Sequence, residues 1–334
     1  MKKIAIIGGG SWGTALAIVL ARSPRPHRIA LWVHEADICE SLRSRRVNEV
    51  FLPGFMVPRE VEVTGDLAAA LQQANVVLSV MPSAYARALY TEMLPHLEPQ
   101  VAFVSATKGL EHSSHERTTE VIAQVLGQRF PPRVAALSGP TFAREVARGD
   151  PTAVVIASAD RELTASVQEE FSGPTFRLYT NDDVVGVELG GAVKNVIAIA
   201  AGVCEGLGFG YNTAAALITR GLAEMTRLAC ALGARAETLA GLAGMGDLVL
   251  TCTGALSRNR SVGVELGKGR KLDDIIGSMR MVAEGVGTTR ATIELARKRR
   301  VEMPITEQMY AVLYEGRAPR DAIRELMERR LKHE

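Results

Sequence analysis

The pattern of apolar and polar positions divides the chain into two parts. In the first part, short runs rich in aliphatic and β-branched residues predict buried strands, and several are separated by segments with helical apolar spacing. The predicted strands cover 3–8, 28–33, 75–80, 101–105, 134–137, 153–156 and 175–179, and the predicted helices cover 11–21, 67–73 and 116–126. This alternation is typical of a doubly wound, mostly parallel sheet with helices on both faces.

Beyond residue 183 the pattern is helical throughout. Helices are predicted at 184–206, 212–232, 286–299 and 304–314. We therefore predict an α/β domain over residues 1–180 and an all-helical domain over residues 181–334. The apolar run at 196–204 is bounded by Lys194 and Glu205, which leaves it too short to cross a membrane.

Composition narrows the class of protein. A length of 334 residues is enough for two domains with substantial cores. The net charge of +2 gives no reason to expect a nucleic-acid or membrane-surface partner. Four cysteines without a CxxC pair indicate free thiols in a reducing compartment, and the scattered histidines show no metal-ligand spacing. The first apolar run is only four residues long, so we expect a cytoplasmic protein rather than a secreted one.

A glycine-rich segment joins the first predicted strand to the first predicted helix. Gly8, Gly10 and Gly13 form a GxGxxG pattern, whose glycines allow a tight turn, close approach of a pyrophosphate, and helix–strand packing. The alternatives are an ordinary strand-to-helix turn and a flavin site. After the second predicted strand, His34 stands where an NAD enzyme often has an acid. A histidine there tolerates a 2′-phosphate, so a nicotinamide cofactor on this loop would be NADP(H) or NAD(H).

Two lysines lie in apolar surroundings. Lys108 follows a predicted strand, and the carboxyl ends of such strands face the ligand crevice. Lys194 lies in an otherwise apolar helix. It is either a lysine whose amine reaches solvent or a desolvated one that can give a proton to a developing alkoxide.

A candidate anion site follows further along the chain. The segment 243–248 is predicted to be a tight glycine turn that presents Asp247, and a helix beginning at Ser257 carries Arg258. A helix N-terminus beside a guanidinium binds phosphate groups well. The simpler alternatives are that Asp247 caps a helix and that Ser257 is an N-cap next to solvated arginines.

Taken together, these motifs resemble those of bacterial, biosynthetic NAD(P)-dependent glycerol-3-phosphate dehydrogenases. The resemblance covers nearly the whole chain and is carried by segments 8–13, 106–110, 137–143, 188–195, 244–248, 257–260 and 282–285. It implies a Rossmann domain joined to an all-helical domain like that of 6-phosphogluconate dehydrogenases. It also implies reversible reduction of dihydroxyacetone phosphate to sn-glycerol 3-phosphate for phospholipid synthesis.

The resemblance also implies residue roles. Lys194 would be the general acid and base, Lys108 would orient the substrate, and Asp247 would hold a substrate hydroxyl or fix Lys194. The implied substrate contacts are Lys108, Gly139, Thr141, Lys194, Asp247, Ser257, Arg258 and Asn259. The implied cofactor contacts are Gly8, Gly10, Ser11, Trp12, Gly13, His34, Lys108, Ala143, Arg258, Val282 and Glu284.

Some of these positions have simpler interpretations. Gly139 and Thr141 by themselves indicate only a Gly-Pro turn, and Trp12 could serve packing alone. The family more often has Ser at position 141, but Thr keeps the hydroxyl.

Two other functions are compatible with the residues. One is a related hydroxyacid dehydrogenase with another substrate, and the other is a non-catalytic NAD(P) sensor in which Lys194 and Asp247 are idle. In either case the expected partner is a small molecule, and a homodimer is allowed.

Overall fold

The structure, a computed structural model, describes residues 1–330, and its first part alternates strands and helices. Their bounds are β1 Lys3–Ile7, α1 Ser11–Ala21, β2 Arg28–Trp32, α2 Ala36–Ser44, β3 Val47–Asn48, β4 Leu52–Met56, β5 Val61–Thr64, α3 Leu67–Leu71, β6 Val76–Ser79, α4 Ala86–Met93, β7 Ala102–Ser105, α5 Thr118–Leu126, β8 Arg133–Ser138, α6 Ala143–Arg148, β9 Thr152–Ala157, α7 Arg161–Phe171 and β10 Phe176–Asn181.

Eight of these strands form one sheet in the order β10-β9-β8-β7-β6-β1-β2-β5. All neighbouring strands run parallel except β8 and β9. The chain adds strands on both sides of β1, so the strand order reverses between β1 and β6. In open α/β sheets, ligands bind outside the carboxyl ends of the strands at such a point. The predicted doubly wound, mostly parallel sheet is confirmed.

Both faces of the sheet are covered, as continuous apolar strands require. One buried cluster contains Ile4 and Ile6 of β1 together with Leu16 of α1. The opposite cluster contains Ile7 of β1 with Phe103 of β7 and Tyr90 of α4. Successive side chains of β1 therefore enter different cores, and this explains why the strand has no polar alternation.

The second part is helical. Its helices are α8 Val184–Gly206, α9 Tyr211–Ala231, α10 Ala236–Leu239, α11 Asp247–Thr253, α12 Arg258–Gly267, α13 Leu272–Gly277, α14 Glu284–Arg299, α15 Pro304–Tyr314 and α16 Pro319–Met327. Helix α8 is long and apolar enough to cross a membrane by length and composition, but 89% of its apolar window is buried inside the protein. It is the central core helix, packed against α9, α11, α12 and α14.

Several elements differ from the expectations. The short antiparallel pair β3–β4, the edge strand β5, and helices α2, α4, α6 and α7 were not predicted individually. Strand β10 ends at Asn181 and α8 begins at Val184, so the chain passes directly from sheet to helix. The division into domains at residue 180 stays a prediction.

Candidate active site

Lys194 lies in the middle of α8 and is buried, with 6% of its surface exposed. Its Nζ donates to Asp247 Oδ1 at 2.6 Å and to Thr251 Oγ1 at 2.7 Å. Burial lowers the pKa of Lys194 to about 8, although the Asp247 carboxylate opposes this and the nearby Lys108 adds to it. The amine is therefore enclosed by protein, and the side chain does not extend it into bulk solvent. Of the two sequence-based interpretations, the geometry favours the desolvated lysine.

Asp247 is the first residue of α11 and is 1% exposed. The segment before it, Leu242–Gly246, is a π-helical turn, so the predicted tight glycine turn is wrong. Packing explains the difference: a Cβ on Gly190 of α8 would clash with the carbonyl oxygen of Ala243. Glycine at position 190 thus lets the π-helical turn lie directly against α8, which brings Asp247 within reach of Lys194.

Lys108 enters the same site from the α/β domain, just after β7. Its Nζ donates to Asp247 Oδ2 at 2.7 Å, to the Gly139 carbonyl at 2.8 Å and to Thr141 Oγ1 at 3.0 Å. Gly139 has a φ of +142°, a region that favours glycine, at the end of β8. The two carboxylate oxygens of Asp247 therefore each bind one ammonium group. Among the described residues, the hydrogen bonds of this carboxylate involve the two lysines and Thr251 rather than a backbone amide at the start of α11.

Sequence reasoning missed two residues at this centre. Thr251 accepts from Lys194, and it lies four residues after Asp247, which places both on one face of α11. Asn195, next to Lys194, accepts at Oδ1 from Asn259 Nδ2 at 2.9 Å. The only available sign of Thr251 was its i,i+4 spacing from Asp247. That spacing brings two side chains together only in a helix, and the sequence predicted a tight turn at Asp247.

The predicted anion site lies at the start of α12. Ser257 is its N-cap, since the hydroxyl accepts from the Arg260 amide at 3.2 Å. Asn259 is 8% exposed, and its Oδ1 accepts from the Gly285 amide at 2.9 Å, so its side chain bridges α8 and α14. The capping alternative for Ser257 is therefore what the structure contains. Direct phosphate contacts by Ser257 and Asn259 stay predictions.

Arg258 is accessible to solvent, and its Nη1 donates to the Val282 carbonyl at 2.8 Å. Surrounding protein atoms still desolvate the guanidinium enough to lower its pKa, while the Glu284 carboxylate opposes that effect. A guanidinium keeps its charge under such a shift. Arg258 is thus a solvent-accessible cation that is held by the Val282 carbonyl and lies near the Glu284 carboxylate. This arrangement suits recognition of an anion.

The Gly8–Gly13 loop joins β1 to α1. A Cβ on Gly13 would clash with the Gly8 carbonyl oxygen, whereas a Cβ on Gly10 would meet no atom within 4 Å. Helix α1 has no side-chain cap and no acidic residue in its first turn, so its first amides can bind an anion. The loop therefore combines tight internal packing with an open face, and these features fit a dinucleotide pyrophosphate.

Further predicted cofactor residues lie around this loop. Ser11 begins α1, and Trp12 follows with its ring centroid 6.5 Å from that of Phe176. The indole Nε1 of Trp12 is buried without a hydrogen-bond partner among the described residues. The position of Trp12 thus fits both a packing role and a contact with the cofactor. His34 is exposed just beyond β2, and Ala143 is the first residue of α6.

Val282 and Glu284 approach the same edge from the helical domain. Val282 is 48% exposed, and Glu284 is the first residue of α14. The Glu284 carboxylate accepts from the backbone amide of Ser83 at 3.1 Å and from its hydroxyl at 2.7 Å. Burial raises the pKa of Glu284. These bonds join the two parts of the chain next to β6, where the strand order reverses.

Comparison with known proteins gives a consistent result. Residues 3–164 match the model for the NAD-dependent glycerol-3-phosphate dehydrogenase N-terminus, and residues 183–324 match the model for its C-terminus. A glycerol-3-phosphate dehydrogenase (NAD(P)+) of Koribacter versatilis is 62% identical over 330 residues, covering 98% of each chain. One from Citrifermentans bemidjiense is 54% identical, covering 100% of this chain and 99% of its own. The crystal structure of glycerol-3-phosphate dehydrogenase from Coxiella burnetii superposes with a TM-score of 0.93 at 42% identity, covering 98% of this chain and 99% of its own.

Proposed function

Because the chain belongs to the NAD-dependent glycerol-3-phosphate dehydrogenase family, we propose that Lys194, Lys108 and Asp247 are the centre at which it reduces dihydroxyacetone phosphate. The protein is an NAD(P)-dependent oxidoreductase that converts dihydroxyacetone phosphate into sn-glycerol 3-phosphate. This activity and cofactor confirm what the resemblance implied. The observation that carries the residue assignment is the carboxylate of Asp247, which binds both lysines from opposite sides.

Lys194 is the proton donor in this proposal. When bound, the reduced nicotinamide supplies the hydride that adds to the carbonyl carbon. The carbonyl oxygen then needs a proton, and the ammonium of Lys194 gives it and becomes a neutral amine. With a pKa of about 8, Lys194 is mostly protonated at neutral pH and still gives its proton up readily. The reverse reaction needs the neutral amine of Lys194, so glycerol 3-phosphate oxidation is faster at a pH above 8.

Lys108 and Asp247 support that transfer. The Lys108 ammonium is held by Gly139, Thr141 and Asp247, so it stays near the reacting oxygen and stabilises the negative charge that develops there. Asp247 keeps both ammonium groups in place and favours the protonated form of Lys194. Thr251 Oγ1 also positions Lys194 by accepting a hydrogen bond from its ammonium group.

Arg258 is the proposed anchor for the substrate phosphate. It lies in the first turn of α12, where the helix amides already favour an anion, and its fork can bind two phosphate oxygens. Ser257 and Asn259 hold the backbone around it. Glycerophospholipid supply, cytoplasmic location and a homodimer stay predictions from the sequence.

The cofactor is proposed to lie on the Gly8–Gly13 loop and along the adjoining strand ends. Ser11 and Trp12 would face the pyrophosphate from the start of α1, and His34 would face the adenosine ribose. The remaining proposed contacts are Lys108, Ala143, Arg258, Val282 and Glu284.

The role of Lys194 is tested by Lys194→Ala. We expect single-turnover reduction to fall by about 10²–10⁴ because a general acid is lost, while cofactor affinity in a direct titration stays near wild type. Lys3→Ala is the matched control, since Lys3 is also buried but binds the carbonyls of Ala69 and Gln72 away from the site. An unchanged single-turnover rate in Lys194→Ala would refute the assignment.

The role of Arg258 is tested by Arg258→Lys with two substrates. The variant keeps the charge and loses the two-pronged geometry. We expect kcat/KM for dihydroxyacetone phosphate to fall strongly, with kcat falling as KM rises, because phosphate binding also positions the carbonyl. Dihydroxyacetone has no phosphate, so its kcat/KM should change little. Equal fractional losses for both substrates would mean that Arg258 serves the fold or the cofactor.

A further inference from the structure

Asn48 is a fully buried polar residue to which the sequence motifs give no role. It lies in β3 and has 0% of its surface exposed. Its Nδ2 donates to the Gly9 carbonyl at 2.8 Å and to Thr14 Oγ1 at 2.9 Å. Its Oδ1 accepts from the Phe51 amide at 3.0 Å. The side chain thus donates to the glycine loop at Gly9 and to α1 at Thr14, and its oxygen accepts within its own hairpin.

The bond to Gly9 fixes the direction of a peptide group. The peptide between Gly9 and Gly10 is planar and trans, so its carbonyl oxygen and its N–H point in opposite directions. Thr14 Oγ1 also lies within bonding distance of the Gly9 oxygen, at 3.3 Å. Because Asn48 and Thr14 bind the oxygen on one side, the Gly10 N–H is directed to the other. Three consecutive glycines have little preference of their own, so without this anchor the peptide could rotate.

We propose that Asn48 is a positioning residue for the cofactor pyrophosphate, acting through the Gly9–Gly10 peptide. The held peptide adds the Gly10 N–H to the free amides at the start of α1, so that the anion meets a fixed set of donors. The inference rests on the proposed placement of the cofactor on the Gly8–Gly13 loop.

The hairpin around Asn48 has other anchors. Ser41 Oγ of α2 donates to the Val47 carbonyl at 2.9 Å, and Arg46 Nη2 donates to the Val61 carbonyl at 2.8 Å. Phe51 and Phe55 pack against the main core of the α/β domain. Other contacts therefore hold the hairpin in place without the Nδ2 group of Asn48. The specific contribution of Nδ2 is its contact with the glycine loop.

The test removes the donors while keeping the acceptor. Asn48→Asp retains an oxygen for the Phe51 amide and loses both N–H donors, and Asn48→Ala removes the side chain without adding charge. Calorimetric titration of the cofactor-free enzyme should show Kd for NADH and NADPH rising by the same factor. We expect a factor of about 2–10, as for the loss of one hydrogen bond, because Thr14 Oγ1 still binds the Gly9 oxygen. The KM for dihydroxyacetone phosphate at saturating cofactor should not change.

Two further variants separate the outcomes. Ser41→Ala loosens the same hairpin without touching the loop and should leave both Kd values unchanged. Gly10→Ala puts a methyl group on the open face and should weaken cofactor binding whatever Asn48 does. If Gly10→Ala weakens binding and the Asn48 variants do not, the inference is overturned and the cofactor placement stands. If none of them weakens binding, the placement itself is wrong.

A purely structural role has its own signature. Ser41→Ala and the Asn48 variants would then lower Tm and raise Kd together, which would overturn the inference. If neither Asn48 variant folds, Thr14→Val carries the test, because it removes the weaker donor to the same Gly9 oxygen. It should raise both Kd values by about 2–5-fold, as expected for one modest hydrogen bond; unchanged Kd values would contradict the proposal.

Discussion

Replacing Asp247 by Asn tests how the charge of one carboxylate controls the proton on Lys194. The side chains have the same shape, but Asn is neutral, so Lys108 and Lys194 lose their shared counter-charge. The pKa of Lys194 lies at about 8 because burial and Lys108 lower it, whereas Asp247 and, to the smallest extent, Cys252 raise it. In Asp247→Asn the main raising influence is lost and both lowering influences remain. We therefore expect Lys194 to lose its proton at a lower pH.

The size of the effect follows from the contact distance. An opposite charge in direct contact moves a pKa by about 1–3, and here Nζ and Oδ1 are 2.6 Å apart. At pH 7 the wild-type Lys194, with a pKa of about 8, is protonated in roughly nine molecules out of ten. In the variant that fraction falls to between about one half and about one hundredth. Single-turnover reduction at pH 7 should accordingly fall by about 2–100-fold.

The assay follows nicotinamide absorbance in single turnovers from pH 5.5 to 9 with saturating dihydroxyacetone phosphate. Wild-type reduction should decline as the pH rises through about 8. In Asp247→Asn the midpoint should move lower by about 1–3 pH units, and acidic pH should recover part of the rate. Asp160→Asn is the control, since Asp160 caps α7 and binds Arg133 away from the site. A slow variant whose midpoint stays near pH 8 would refute this reasoning and assign Asp247 to a substrate hydroxyl instead.

Three further predictions concern the cofactor and the fold. His34→Asp should shift the cofactor preference toward NADH, because an acid at the end of β2 repels a 2′-phosphate. The ratio of kcat/KM for the two cofactors measures this preference, and an unchanged ratio would locate cofactor selectivity elsewhere. Gly13→Ala should destabilise the fold by about 1–3 kcal/mol in urea unfolding, since its methyl group would meet the rigid Gly8 carbonyl; wild-type stability would contradict this. Glu224 of α9 is buried and accepts from the Ile305 amide at the start of α15, and burial raises its pKa to about 7, above its ordinary value of 4.5. Because the folded state holds this proton more tightly than the unfolded state, its contribution to stability is complete below pH 4.5 and is lost as the pH rises through about 7. Glu224→Gln should remove that part of the pH dependence, and unfolding free energies at pH 5 and pH 7.5 that differ as much as in wild type would disprove it.

Local patterning determined the elements whose burial is visible along the chain. The predicted helices 11–21 and 184–206 coincide with α1 and α8, because their apolar residues repeat at helical spacing and the helices bury those residues. The antiparallel pair β3–β4 was missed because Pro53 and Gly54 interrupt its second strand and its few ladder bonds leave no alternation to detect.

Residue type also indicated the chemistry. An isolated lysine in an apolar helix, a lysine after a strand and a glycine-bearing Asp segment were sufficient to nominate Lys194, Lys108 and Asp247. Their meeting could not be predicted from spacing, since Asp247 lies 139 residues from Lys108 and 53 from Lys194. It depends on the packing of a π-helical turn against Gly190, whereas the local glycine pattern favours a tight turn.

The sequence by itself therefore determined the two-part architecture, the glycine-rich loop and the types of residue at the candidate site, because periodicity and side-chain chemistry are local properties. Tertiary structure alone decided the shared carboxylate, the contact of Thr251 with Lys194, and the anchor from Asn48 to Gly9. Each of these contacts is made by hydrogen bonds between groups on different elements of the fold. The lengths of these hydrogen bonds, 2.6–2.8 Å, depend on how the helices and the sheet pack. Packing is set by the whole core rather than by residues that are neighbours in sequence.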